Sequence, residues 1–194
     1  MKAEIAEIEF FFDVVSPYTW LATHRIDELA AQAGLPVRWR PFFLGGVMKA
    51  TGNTPPALLP ARGRYMFRDL HRWAGRVKAE LNFPTVFPTH SLPAMRALCA
   101  MPQDQAMVAA ARALFRAYWT EGRDIRDPAV IAEITGPQAV AAAGQDAAKE
   151  RLRAWTDEAV ARGAFGAPTF FVGEQMFFGN DRMDFVAEAV RAAL

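Results

Sequence analysis

With 194 residues, 52% of them hydrophobic, and a formal charge of +1 from 22 basic and 21 acidic side chains, the chain can bury one substantial core and is not a disordered polyelectrolyte. So balanced a charge gives no footing for nucleic acid or an anionic membrane as partner. No apolar run approaches the ~20 residues of a spanning helix, and a single cysteine, Cys99, leaves no pair for an internal disulfide, a metal site or redox exchange.

The stretch Met1 to Glu7 carries acids where a signal peptide would carry an apolar centre, so the chain reads as cytoplasmic. Ile8 and Phe10 to Phe12 form a short run of high β-propensity, a buried strand. Ser16-Pro17 then opens a helix, since serine favours the N-cap and proline the first helical position. Trp20, Leu21, Ile26, Leu29 and Ala30 carry that helix on to Gly34, with Pro36 beyond. A hydroxyl therefore sits at a helix N-terminus, where backbone N–H groups and the dipole favour an anion. Capping is the commonest use of such a serine, and it is compatible with donation to an external anion.

Val37 to Leu44 alternates and reads as a second strand, parallel to the first across a right-handed βαβ crossover. Gly45 to Pro60 is punctuated by glycines and prolines and reads as a long ordered loop, with Asn53 as a turn residue. Helical patterns follow from Arg62 to Leu81, from Ser91-Leu92-Pro93 onward, from Asp104 to Thr120, over 128–133 and 137–143, and from Gln145 to Arg162. His24, His71 and His90 show no ligand spacing, and no metal is expected. Thr169 to Val172 and Gln175 to Phe178 flank Gly173-Glu174 as a hairpin, and Asn180 or Asp181 caps a last helix. The order β-α-β, helices, β-β-α is a thioredoxin-like α/β layout with an inserted helical lobe. Its expected boundaries are 1–44 plus 163–194 for the thioredoxin-like lobe, and 45–162 for the loop and helical lobe.

Four motifs coincide: Phe11-Phe12-Asp13 to Ser16-Pro17-Tyr18; Gly46-Val47-Met48-Lys49 with Gly52-Asn53-Thr54-Pro55-Pro56; Gly163 to Thr169; and Phe178-Gly179-Asn180-Asp181-Arg182-Met183. In combination the chain resembles the 2-hydroxychromene-2-carboxylate isomerases and the related kappa-class glutathione transferases. The resemblance implies a disulfide-oxidoreductase type of thioredoxin fold, glutathione as cofactor and a homodimer. It places Ser16 against the glutathione sulfur, with Pro17 and Tyr18 beside it. It gives Asn53 to cofactor or substrate, the Ala167 backbone to the cysteinyl part, and Asn180 and Asp181 to the γ-glutamyl end. In the naphthalene-pathway isomerases a lysine stands where this chain has Met48, with Lys49 next to it.

Thioredoxin-like redox enzymes carry C-x-x-C at the first helix start, where the dipole lowers a thiol pKa. Here the tetrad is Ser16-Pro17-Tyr18-Thr19, so a sulfur must be borrowed. The expected chemistry is thiolate addition to an electron-poor C=C of an aromatic keto acid, rotation, and loss of sulfur. Ser16 then stabilises a thiolate and is not itself a nucleophile. Ala167-Pro168 is expected to be cis, with its backbone open to an extended peptide. Arg62, Lys49 and Arg38 are the basic candidates for a substrate carboxylate, although solvent exposure is the commoner fate of such side chains. Conjugation of electrophiles by a kappa-like transferase, and a non-catalytic thioredoxin-fold binding module, are the alternatives.

Overall fold

The computed structural model describes residues 6–193; residues 1–5, the start of the acid-bearing N-terminal stretch, and Leu194 lie outside them. Strand β1 (Ile8–Phe12) lies parallel to β2 (Val37–Pro41) and antiparallel to β3 (Thr169–Val172). β3 pairs antiparallel with β4 (Gln175–Phe178), giving the order β2-β1-β3-β4. Side chains alternate across β1, so Phe10 and Phe12 face one way and Phe11 the other. Phe10 stacks on Phe170 with ring centres 5.0 Å apart and meets Trp39 edge-on at 5.0 Å. Phe11 meets Phe42 and Phe171 edge-on at 5.9 and 5.5 Å. All three β1 phenylalanines are fully buried, because the sheet is covered on both faces. Burying each is worth roughly 1.5–3 kcal/mol, so β1 is the spine of the core.

The single helix expected after Ser16 is two, α1 (Pro17–Thr23) and α2 (Ile26–Ala33). The Trp20 carbonyl is taken by the Thr23 hydroxyl at 2.6 Å, and His24 Nδ1 lies 3.0 Å from it. The His24 N–H turns back to Leu21 instead, and the ladder breaks. Arg112 donates to the freed Thr23 carbonyl at 3.0 Å, a favourable place for a cation at a helix C-terminus.

The expected loop over 45–60 begins as helix α3 (Leu44–Thr51). Its start is capped from a distance: Asp13 accepts the Leu44 N–H at 2.9 Å, and Thr156 accepts the Phe43 N–H at 2.9 Å. Gly46 lies inside it because of close approach, since a Cβ there would stand 3.2 Å from Phe43 and 3.3 Å from the Thr156 methyl. A short 3-10 turn at Pro56–Leu58 leads into α4 (Pro60–Val77), which ends at Lys78, before Leu81.

Helices α5 (Leu92–Ala100), α6 (Gln105–Trp119), α7 (Pro128–Thr135), α8 (Pro137–Ala143) and α9 (Asp146–Ala161) follow close to their expected places. α9, which carries Thr156, packs on α3 and β2. After β4 a 3-10 turn at Asn180–Arg182 precedes α10 (Met183–Ala193), which packs on α2, β3 and β4. Neither expected cap operates: Asp181 pairs with Arg182, and the Asn180 amide makes no hydrogen bond to the described residues. Among the described residues no helix is long and apolar enough to cross a membrane.

Candidate active site

The site starts where β1 ends. The Ser16 N–H returns to the Asp13 carbonyl at 3.1 Å, closing a tight turn between strand and helix. Ser16 has extended backbone, and its Oγ accepts the Thr19 N–H at 3.2 Å, so it is a true N-cap of α1. The same hydroxyl donates to the Ala167 carbonyl at 3.1 Å. The Ala167–Pro168 bond is cis, as expected. From the other side, the Trp119 indole N–H donates to the Val14 carbonyl at 2.9 Å and fixes α6 to this turn.

Asp13 holds the turn from within. Its fully buried carboxylate accepts from the Val15 N–H at 3.0 Å, the Leu44 N–H at 2.9 Å and the Ser91 hydroxyl at 2.8 Å. Burial pushes its pKa up to about 6, against the pull of those three donors and the nearby His90. Ser91 was expected to cap α5; its backbone is helical there and its hydroxyl serves Asp13 instead. In sequence Asp13 stands only as part of the Phe11-Phe12-Asp13 motif, with no role of its own. The signal lay in an acid set directly between Phe12 and Val14, since a buried charge demands partners.

A cavity of about 610 Å³ opens over this turn. Ser16, Pro17, Tyr18, Asn53, Ala167, Asn180 and Asp181 all line it, although they come from four separate parts of the chain. Asn53 joins two of those parts: its amide N–H donates to the Phe165 carbonyl at 2.9 Å, and its side-chain oxygen accepts the Thr54 N–H at 2.9 Å. The Tyr18 hydroxyl donates to Asp69 at 2.9 Å, and burial followed by the Asp69 charge keeps that phenol protonated well above its usual range. Asn180 is buried, and Arg25 donates to its carbonyl at 3.3 Å.

The three basic candidates are elsewhere. Arg62, Lys49 and Arg38 do not line the cavity, and Arg38 pairs with Glu7 at 3.0 Å. Met48 lines it, whereas its neighbour Lys49 does not. Among the described residues the lining carries no lysine or arginine; its ionisable groups besides the tyrosines are Asp69, Asp181 and His90. No group of metal-ligating side chains forms among the described residues.

A family model described as a DsbA-like thioredoxin domain matches residues 7–191. The chain belongs to the DsbA-like thioredoxin family. Within that family it is 34% identical to the 2-hydroxychromene-2-carboxylate isomerase of Pseudomonas sp. strain C18, over 100% of this chain and 94% of the relative. It is also 34% identical to the human glutathione S-transferase kappa 1, over 93% of this chain and 88% of the relative. A solved 2-hydroxychromene-2-carboxylate isomerase superposes with a TM-score of 0.85 at 30% identity, covering 96% of this chain and 95% of that one. The resemblance read from the motifs is therefore correct, and so is the thioredoxin-like fold. At the first helix of this chain the tetrad Ser16-Pro17-Tyr18-Thr19 holds no thiol. Its one cysteine, Cys99, is buried in α5, and burial pushes that thiol up to about 12.

Proposed function

We propose that the chain is a glutathione-dependent isomerase of the 2-hydroxychromene-2-carboxylate type, acting on a conjugated aromatic keto acid. The observation that carries this reading is the convergence of the seven family-matched positions on one cavity around a hydroxyl-capped helix start. The cavity is also in the size range of small-molecule sites. The lining fits the tripeptide: the Asn180 amide has no partner among the described residues, and Asp181 offers a carboxylate suited to an ammonium group. The Ala167 carbonyl is an acceptor suited to a peptide N–H. Glutathione, held by Ser16, the Ala167 backbone, Asn180 and Asp181, would supply the thiolate nucleophile for reversible addition to the electron-poor C=C.

The protein's share of the work is electrostatic. Ser16 offers a hydroxyl hydrogen, and the α1 N-terminus offers partial positive charge, to a negative sulfur. A free thiol of pKa about 8.5 is a minority thiolate at pH 7, and each unit of lowering represents about 1.4 kcal/mol of preference for the charged form. Tyr18, held as a phenol by Asp69, stiffens the same wall by joining α1 to α4. Phe43, Met48 and Phe87 give an apolar surface for an aromatic ring.

One observation favours a second reading. A cavity whose lining, among the described residues, has two carboxylates and neither lysine nor arginine suits an uncharged electrophile, so conjugation in the manner of the kappa transferases is its natural competitor. Titration with glutathione, followed by parallel assays of chromene isomerisation and of conjugation to a chlorinated nitroaromatic, separates them. Isomerisation with glutathione returned unchanged supports the first reading. Conjugation alone supports the second, and failure to bind millimolar glutathione rejects both.

A further inference from the structure

The isomerase reading needs a group that meets a carboxylate in a cavity whose described lining holds neither lysine nor arginine. An anion in an apolar site without a partner is strongly disfavoured. The lining contains one side chain able to carry positive charge among the described residues, and it is His90. His90 is exposed and makes no ion pair or hydrogen bond with the described residues, so its ring nitrogens are available to a ligand. Neither acid of the lining pairs with His90: Asp69 accepts from Tyr18, and Asp181 pairs with Arg182.

Its position is also set. Ser91, the next residue, donates to Asp13 at 2.8 Å, and the Asp13 carbonyl accepts the Ser16 N–H at 3.1 Å. That chain of bonds ties the His90 segment to the turn that presents Ser16. The His90 ring lies 6.0 Å from the Phe43 ring, and Phe87 and Pro88 precede it along the same wall. An aromatic ring placed against Phe43 and Phe87 would bring an attached carboxylate to the imidazole.

We propose that His90 is the residue that recognises the carboxylate of the electrophile, and that it sets the preference of the cavity for anionic aromatic acids over their uncharged counterparts. This inference rests on the isomerase reading for its substrate class, but it concerns only the protein's own side chain. A charge-assisted bond exceeds a neutral one by about 1–1.5 kcal/mol, close to a tenfold change in affinity.

The test is calorimetric. Cinnamate and cinnamamide share shape and differ in charge, and both are titrated into wild type and His90→Gln, with and without glutathione. Wild type should bind cinnamate about tenfold more tightly than cinnamamide, and His90→Gln should bind the two alike with glutathione affinity unchanged. A preference that survives His90→Gln overturns the proposal, as does a wild type without preference or one that binds neither probe. Loss of the glutathione reading shows separately as absent glutathione binding, with the cinnamate ratio still measurable.

Discussion

The Ser16 hydroxyl donates its one hydrogen to the carbonyl oxygen of Ala167, 3.1 Å away, while accepting the Thr19 N–H at 3.2 Å. In this arrangement the hydrogen needed by a thiolate is already committed. A donor that takes over the Ala167 carbonyl would favour its release, and a peptide N–H of glutathione would be such a donor. On the proposed glutathione reading, binding the tripeptide would free the hydroxyl for the sulfur, while the Thr19 bond would keep the helix capped.

Ser16→Ala should therefore lower turnover far more than glutathione affinity. A hydrogen bond to a charged group is worth about 1.5–3 kcal/mol, which corresponds to a rate loss on the order of 10- to 100-fold and a rise of about one to two units in the pKa of the bound thiol. Ultraviolet thiolate absorbance against pH, measured on the glutathione complex, reads that rise directly. An unchanged titration curve would remove Ser16 from the chemistry. Loss of the cap should cost the fold about 1 kcal/mol, visible in denaturant unfolding.

Much of this site could be read before any coordinates. The Phe10 to Phe12 run, the Ser16-Pro17 helix start and the 169–178 hairpin follow from local rules, and each lies where those rules put it, whereas the cis Ala167–Pro168 bond follows from the family resemblance and the helix end it faces. What local rules missed depends on distant partners. α3 looked like a loop because its glycines break helices in isolation, yet Asp13 and Thr156 cap it and Phe43 needs the missing Cβ. Ser91 looked like a cap because the claim of Asp13 on it spans 78 residues. The sequence shows only that His90 lacks metal-ligand spacing. That it is the sole potential cation of the lining among the described residues emerges only once the cavity is assembled, since Arg38, Lys49 and Arg62 all fall outside it.

Gly179 occupies φ 105, a region L side chains rarely adopt, and a Cβ there would stand 2.5 Å from an Asp181 carboxylate oxygen. Gly179→Ala should cost about 1–3 kcal/mol of stability. It should also displace Asp181 and weaken glutathione binding, because the displaced group faces the cavity. Calorimetric titration beside thermal unfolding checks both. Binding at wild-type affinity in the folded variant would show that Asp181 takes no part in holding the tripeptide.

Asn53 bonds the Phe165 carbonyl and the Thr54 N–H from an exposed position, so its loss should disturb the site more than the fold. Asn53→Ala removes one bond that spans the cavity wall, worth about 1 kcal/mol, and should raise the glutathione dissociation constant about fivefold. Stability should fall by a comparable amount at most. Asn53→Asp should behave no better, since a carboxylate cannot donate to the Phe165 carbonyl. Restored affinity in Asn53→Asp would show that the donor bond is unimportant.

Asp13 gives the fold a pH dependence whose sign follows from its burial. Its pKa rises from 3.8 to about 6, so between those values the folded chain holds a proton that the unfolded chain has released. Stability from this group is therefore fully present below about pH 4, falls as pH rises towards 6, and is level above that. Asn at position 13 cannot titrate, and its amide leaves one of the three donors without an acceptor. Wild type should exceed Asp13→Asn in stability most clearly near pH 4. The gap should narrow by an amount on the order of 2–3 kcal/mol by pH 6.5. Urea unfolding of both proteins at half-unit steps across that range measures the gap, and the subtraction removes every other titrating group. A gap that stays constant would mean that Asp13 is ionised throughout, with its three donors and His90 outweighing the cost of burial.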